Sequence, residues 1–93
     1  MSKKKVLVTG SSRGIGNSIL EFFLNDEFIP IGTATSLSGI EMIKKKLSDN
    51  NISGHALELD LNNTNSIENF FKNMKEEGLS PDILVNNAGI ARD

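Results

Sequence analysis

Three glycines and one arginine lie close together near the start of the chain, in the segment TGSSRGIG at residues 9–16. Gly10 allows the chain to turn without a Cβ in the way, and Gly14 and Gly16 allow the backbone to come close to a phosphate. A helix that begins here would direct its free N–H groups and the positive end of its dipole at that anion. The segment therefore predicts a phosphate-binding loop between a strand and a helix.

The spacing of these glycines distinguishes the loop from two common phosphate-binding patterns. A G-x-G-x-x-G pattern starting at Gly14 would need glycine at position 19, where the chain has Ile19. A Walker P-loop starting at Gly10 would need glycine at position 15, where the chain has Ile15. The pattern present is T-G-x-x-x-G-x-G. Because glycines cost folding entropy, so dense a cluster favours the close approach of a ligand over a plain turn.

Short apolar runs predict the strands that must position this loop. They cover residues 5–9, 28–34, 55–59 and 83–85. Stretches of helix length separate them, so the order β-α-β-α-β-α-β predicts an α/β fold, a Rossmann-like doubly wound parallel sheet with strand order 3-2-1-4. Pro30 has no N–H to give to a sheet interior. We therefore expect it at the first residue of its strand, or a slightly different register.

Apolar residues at helical spacing predict the helices between those strands. The three stripes are Ile15, Ile19, Phe22 and Phe23; Ile40, Ile43 and Leu47; and Ile67, Phe70, Phe71 and Met74. Ser38 and Glu41 form an S-x-x-E capping box and predict the start of the second helix. The third helix is predicted to be capped near Asn63. Ligands of such sheets bind beyond the carboxyl ends of the strands, which is where the glycine loop and the segment NNAG at residues 86–89 lie.

Composition narrows the functional classes. The 93 residues are enough for one small domain, and the net charge of −2 provides no basic face for nucleic acid. There are no cysteines, so disulfides and thiolate metal sites are excluded, and no metal site is predicted. The apolar run near the start is too short for a signal peptide, and no stretch reaches membrane-spanning length. We expect a cytoplasmic protein.

With T-G-x-x-x-G-x-G after the first strand and N-N-A-G after the fourth, the sequence resembles the short-chain dehydrogenase/reductase family. The stretches SRGIG, GTATS and DILVNNAGIARD bring it close to the members that reduce 3-oxoacyl-[acyl-carrier-protein] in fatty-acid biosynthesis. The resemblance covers residues 5–93. It implies NADPH-dependent reduction of a 3-oxoacyl group to a 3-hydroxyacyl group, an acyl-carrier-protein-bound substrate, and a homotetramer for the full-length protein.

The resemblance also implies which cofactor and which residues bind it. Relatives that prefer NAD carry an acidic residue at the end of the second strand, whereas this chain has Thr35 there and Arg13 in the glycine loop. A guanidinium suits the 2′-phosphate of NADP(H), so Arg13 and Thr35 are expected to hold it. Asp60 is expected near the adenine. The full expected set is Gly10, Ser11, Ser12, Arg13, Gly14, Ile15, Gly16, Thr35, Asp60, Leu61, Asn87, Ala88 and Gly89.

The catalytic residues of the family are missing from this sequence. The chemistry needs a tyrosine as general acid, with a lysine and a serine beside it, and the chain has no tyrosine. No catalytic residue is carried over, and residues 1–93 are expected to be the incomplete, N-terminal half of an NADP(H)-binding Rossmann domain. Two alternatives remain. One is a truncated, non-catalytic nucleotide-binding remnant, and the other is a dehydrogenase acting on a different ketone or alcohol.

Overall fold

The computed structural model describes residues 3–87, in which four parallel strands alternate with three helices. The strands are Lys4–Val8 (β1), Phe28–Ala34 (β2), His55–Glu58 (β3) and Ile83–Val85 (β4), and the helices are Gly14–Phe22 (α1), Leu37–Asp49 (α2) and Thr64–Glu76 (α3). The strands form one sheet in the order β3-β2-β1-β4. This confirms the predicted α/β class, the Rossmann-like parallel sheet and the strand order.

The core lies on both faces of this sheet because successive side chains of a strand point in opposite directions. Val6 and Val8 of β1 pack on the face covered by α1 and α2, while Leu7 packs on the face covered by α3. The first cluster consists of Val6, Val8, Leu20, Ala34, Ile43 and Leu47, and the second of Leu7, Ile31, Leu59, Phe70, Met74 and Leu79. The central strands are therefore fixed from two sides, which gives the loops at their ends a rigid base.

The buried residues of α1 are not all members of the predicted stripe. Ile15 and Phe22 are each 74% exposed, whereas Gly16 and Leu20 are buried and Phe23 is half-buried. The buried residues of α1 and its C-cap are therefore at positions 16, 20 and 23, because the helix contacts the rest of the fold at Gly16. The predicted stripe does share one face, because Ile15, Ile19, Phe22 and Phe23 line the same apolar groove, but within the described residues only Ile19 and Phe23 pack against the core. The close contact at Gly16 was not predicted, since a pattern of large apolar residues cannot reveal a contact made by a residue without a side chain.

The start of α2 also corrects a prediction. Ser36 is the N-cap, and its hydroxyl accepts a hydrogen bond from the Gly39 N–H at 3.1 Å. Ser38 already lies within the helix, so the capping box predicted for Ser38 and Glu41 was wrong. Ser36 has the extended backbone of a capping residue because it directly follows the loop from β2. The cap predicted near Asn63 is confirmed, since its side chain accepts from the Ser66 N–H at 3.1 Å.

Pro30 is the third residue of β2, opposite Val6 of β1. Neither expectation for it was correct, because it does not begin the strand and the strand has its predicted bounds. The pairing of β2 with β3 starts at Ile31 and His55, one residue later. Pro30 therefore precedes the ladder to β3, where a missing N–H has no partner to lose.

The outer edge of β4 leads to a prediction about the solution behaviour of the 93-residue chain. Among the described strands β4 pairs with β1 alone, and Leu84 is 61% exposed. On one face of the sheet the exposed Phe22 of α1 shares an apolar groove with Val85 of β4, and on the other face the exposed Phe71 of α3 shares an apolar groove with Leu7 of the neighbouring β1. Open apolar edges template the pairing of chains, so we expect concentration-dependent self-association. Light scattering behind size-exclusion chromatography measures it.

A charge placed on this edge should reduce the association. Leu84→Lys is expected to shift the protein toward monomer, because a lysine on an edge strand opposes pairing. Met42→Lys is the matched control, since Met42 is an exposed apolar residue of α2 away from β4. A wild-type chain that runs as a monomer of 10.1 kDa at every concentration would contradict the prediction.

Candidate cofactor-binding site

The segments singled out from the sequence meet at one edge of the sheet. Because all the strands are parallel, the segments after β1, β2, β3 and β4 emerge at the same side. The glycine loop after β1 is central, with Thr35 on one side of it and Asn87 on the other, and Asp60 lies beyond Thr35 after β3. This is the crevice at which open α/β sheets bind ligands.

The glycines of the loop serve two different purposes. Gly10 and Gly14 have φ values of 61° and 64°, a left-handed conformation that other residues adopt only with strain. Gly16 is needed for space, since a Cβ there would lie 2.0 Å from the Gly10 carbonyl oxygen and 2.6 Å from Asn87 Nδ2. A Cβ on Gly14 would meet nothing within 4 Å. The loop is therefore folded tightly against α1 at Gly16 and open at Gly14.

The N-terminus of α1 is open to an anion. Arg13 is the N-cap residue, with an extended backbone, and its side chain makes no capping hydrogen bond and is exposed. The N–H groups of the first turn have no partner inside the helix, and this turn contains no acidic residue. Uncapped N–H groups, the helix dipole and a guanidinium thus combine in one place, which favours a phosphate.

A set of hydrogen bonds joins the loop after β1 to the loop after β4. The Asn87 N–H donates to Thr9 Oγ1 at 2.9 Å, and Asn87 Nδ2 donates to the Gly10 carbonyl at 3.1 Å. The Thr9 hydroxyl donates to Asn86 Oδ1 at 3.1 Å. The two motifs noted in the sequence are therefore in direct contact. Ala88 and Gly89 lie outside the described residues.

The residues after β2 and β3 lie at the same edge. Thr35 is exposed directly after the buried Ala34, and no carboxylate follows it through Ser38. Asp60 is part of the turn that leads into α3, with its Oδ1 accepting from the Asn62 N–H at 3.0 Å. Leu61 beside it is exposed. Asp60 therefore has a structural role in this turn, whatever it binds.

Three other predicted residues are placed in different surroundings. Ser11 is fully buried, and its hydroxyl accepts from the Thr33 N–H at 3.1 Å. Ser12 is half-buried and lies close to Gly39, where an added Cβ would be 3.1 Å from its hydroxyl. Ile15 is exposed on the first turn of α1. The side chain of Ser11 thus faces the sheet and not the open side of the loop.

Sequence reasoning missed two residues that hold the loop. Thr33 Oγ1 accepts from the Gly10 N–H at 3.0 Å, and Asn17 Nδ2 donates to the Ser11 carbonyl at 3.2 Å. Thr33 carried a usable signal, since it is a polar residue inside an apolar strand and such groups are hydrogen-bonded when buried. Asn17 carried no such sequence signal, because asparagine is a common residue near the start of a helix.

Other site types find no support in residues 3–87. No group of three or more metal-ligating side chains occurs among these residues. None of the helices in this part of the chain has the length and apolar character needed to cross a membrane.

Comparison with known proteins identifies a family whose model matches the segment that contains this loop and its partners. The family model described as short chain dehydrogenase matches residues 4–93. The chain belongs to the short-chain dehydrogenase family. This membership confirms the resemblance found in the motifs after β1 and β4.

Several relatives in this family share a name and a level of similarity. The proteins named 3-oxoacyl-[acyl-carrier-protein] reductase FabG from Vibrio cholerae and Vibrio harveyi are 48% and 46% identical to this family member over 90 residues, which is 97% of the chain and 36% of each relative. The protein of the same name from Haemophilus influenzae is 45% identical over 93 residues, 100% of the chain and 37% of the relative. The chain thus spans little more than a third of the length of these relatives.

Proposed function

We propose that this chain is the NADP(H)-binding part of a reductase that converts 3-oxoacyl-[acyl-carrier-protein] to 3-hydroxyacyl-[acyl-carrier-protein]. The observation that carries the cofactor proposal is the open start of α1, with Arg13 beside a β2 end that lacks a carboxylate. The names of the relatives support the substrate. The same proposal includes a homotetramer and a cytoplasmic location for the whole protein.

The residues at this edge suit the separate parts of the cofactor. The loop from Gly10 to Gly16 would receive the pyrophosphate, since it is open at Gly14 and ends in unpartnered helix N–H groups. Asp60 and Leu61 would face the adenine, and the residues from Asn87 to Gly89 the nicotinamide ribose. When bound, the nicotinamide supplies a hydride. The part played by the described residues is to bind and orient it.

The choice of NADP(H) over NAD(H) rests on charge. A carboxylate after β2 would accept from both ribose hydroxyls of NAD(H) and would repel the extra phosphate of NADP(H). Thr35 stands there instead, and Arg13 lies in the neighbouring loop. A guanidinium presents planar donors that match a phosphate, so both residues favour the phosphorylated cofactor.

Arg13→Ala should therefore weaken NADPH binding selectively. Loss of a hydrogen bond to a charged group costs about 1.5–3 kcal/mol, or about 10- to 150-fold in affinity. We expect NADH affinity to change much less, because NADH has no 2′-phosphate. Fluorescence titration of both cofactors against wild type and variant measures the difference.

Lys72→Ala provides a charge-matched control. Lys72 is an exposed cation on α3, which covers the opposite face of the sheet from α1. Its loss changes the net charge equally and should leave both affinities unchanged. Equal losses of NADPH and NADH affinity in Arg13→Ala would refute the assignment of Arg13 to the 2′-phosphate.

A further inference from the structure

The first two residues of the glycine loop have every backbone polar group bonded within the protein. The Gly10 N–H donates to Thr33 Oγ1 at 3.0 Å, and the Gly10 carbonyl accepts from Asn87 Nδ2 at 3.1 Å. The Ser11 N–H donates to the Thr33 carbonyl at 2.9 Å, and the Ser11 carbonyl accepts from Asn17 Nδ2 at 3.2 Å. The start of the loop is thus fixed before any ligand arrives.

Thr33 is the centre of this arrangement. Besides accepting from Gly10 and Ser11, it donates its own N–H to Ser11 Oγ at 3.1 Å. Thr33 and Ser11 both have 0% exposure, so these bonds form away from water. Hydrogen bonds are stronger in such surroundings, and a buried donor that loses its partner is costly. The loop therefore follows the position of β2 closely.

This bonding separates the residues that hold the loop from those that can bind an anion. The N–H groups of Gly10 and Ser11 are already used by Thr33, so they are not donors for a phosphate. The donors that remain follow Ser11, above all the first-turn N–H groups of α1, which have no partner inside the helix. Ser11 and Gly10 thus belong to the support of the site.

We propose that Thr33 and Asn17 are positioning residues of the cofactor loop, which hold Gly10 and Ser11 in place through their backbone groups. The proposal deepens the proposed function and rests on it. Thr33 holds the start of the loop, which sets the position of the N–H groups after it that face the pyrophosphate, and NADPH and NADH share this pyrophosphate. Loss of its hydroxyl should therefore weaken both cofactors, unlike loss of Arg13.

Thr33→Val tests the proposal, because valine keeps the shape of threonine and removes its hydroxyl. We expect affinity for NADPH and for NADH to fall by a similar factor of about tenfold, since the Gly10 N–H loses its partner. Hydrogen exchange of the Gly10 amide should become faster, while that of Leu20 within α1 should not change. Thr33→Ser keeps the hydroxyl and should restore both affinities and the slow exchange.

The binding measurements are made well below the unfolding temperature of each variant, with circular dichroism as a check of folding. A folded Thr33→Val protein with wild-type affinity for both cofactors, or with a loss confined to NADPH, would overturn the proposal. If Thr33→Val does not fold, the variant Asn17→Ala is used to test the positioning proposal. It removes the donor to the Ser11 carbonyl from a partly exposed position on α1, and wild-type affinity in it would also count against the proposal.

The experiment distinguishes failure of the proposed function from failure of the positioning role. If the wild-type chain binds neither cofactor, the NADP(H) proposal fails, and the Gly10 exchange rate still reports whether Thr33 holds the loop. Unchanged exchange in Thr33→Val would then overturn the positioning role by itself.

Discussion

Gly16→Ala is expected to abolish measurable NADPH binding and to destabilise the fold. The new Cβ would lie 2.0 Å from the Gly10 carbonyl oxygen and 2.6 Å from Asn87 Nδ2, where ordinary contacts begin at 3.4 Å. These two atoms are hydrogen-bonded to each other, so neither can move away without breaking that bond. Overpacking costs about 1–3 kcal/mol of stability. A displaced loop would also lose hydrogen bonds from its N–H groups to the charged pyrophosphate, each worth about 1.5–3 kcal/mol.

Gly78→Ala is the matched control for this variant. Gly78 has a left-handed φ of 66°, and a Cβ there would meet nothing within 4 Å. It follows α3, away from the glycine loop, so the substitution should cost about 1–2 kcal/mol of stability through strain and leave NADPH affinity unchanged. Urea unfolding and cofactor titration measure both variants. Wild-type NADPH affinity in a folded Gly16→Ala protein would show that the close approach at Gly16 is dispensable.

The 93-residue chain is also expected not to reduce a 3-oxoacyl thioester with NADPH. Reduction of a ketone needs a proton donor placed against the carbonyl oxygen, and the sequence contains no tyrosine to serve as the one used in the family. A positioned general acid contributes about 10²–10⁴-fold to the rate. Turnover should therefore lie at least about 10²–10⁴-fold below that of a full-length relative. The assay follows the loss of nicotinamide absorbance at saturating substrate.

A cofactor titration on the same preparation shows whether an inactive chain still binds NADPH. NADPH binding without turnover would support a chain that holds the cofactor and lacks the proton donor. The full-length Vibrio cholerae relative serves as the positive control. Turnover at an ordinary enzymatic rate, from protein shown to be free of host reductase, would mean that a residue within this chain supplies the proton.

The strands and their order were predictable from the sequence because their signals are local or follow general rules of topology. Short apolar runs separated by helix-length segments predicted β1 to β4, and right-handed crossovers then gave the order 3-2-1-4 that the sheet has. The edge at which the candidate site lies followed as well, since parallel strands bring the glycine loop, Thr35, Asp60 and Asn87 to the same side. Asn63 was predictable as a cap because a capping side chain bonds to its own helix.

The tertiary structure alone decided how these parts fit together. The rotation of α1 depends on the close approach of Gly16 to the Gly10 carbonyl, and the choice of Ser36 over Ser38 as a cap depends on how the chain leaves β2. The bonds from Thr33 to Gly10 and Ser11 join residues more than twenty positions apart. Such contacts leave no periodic trace, because each depends on the placement of another element. The sequence therefore determined the fold and the edge at which the candidate site lies, whereas packing determined which residues support the loop and which remain open to a ligand.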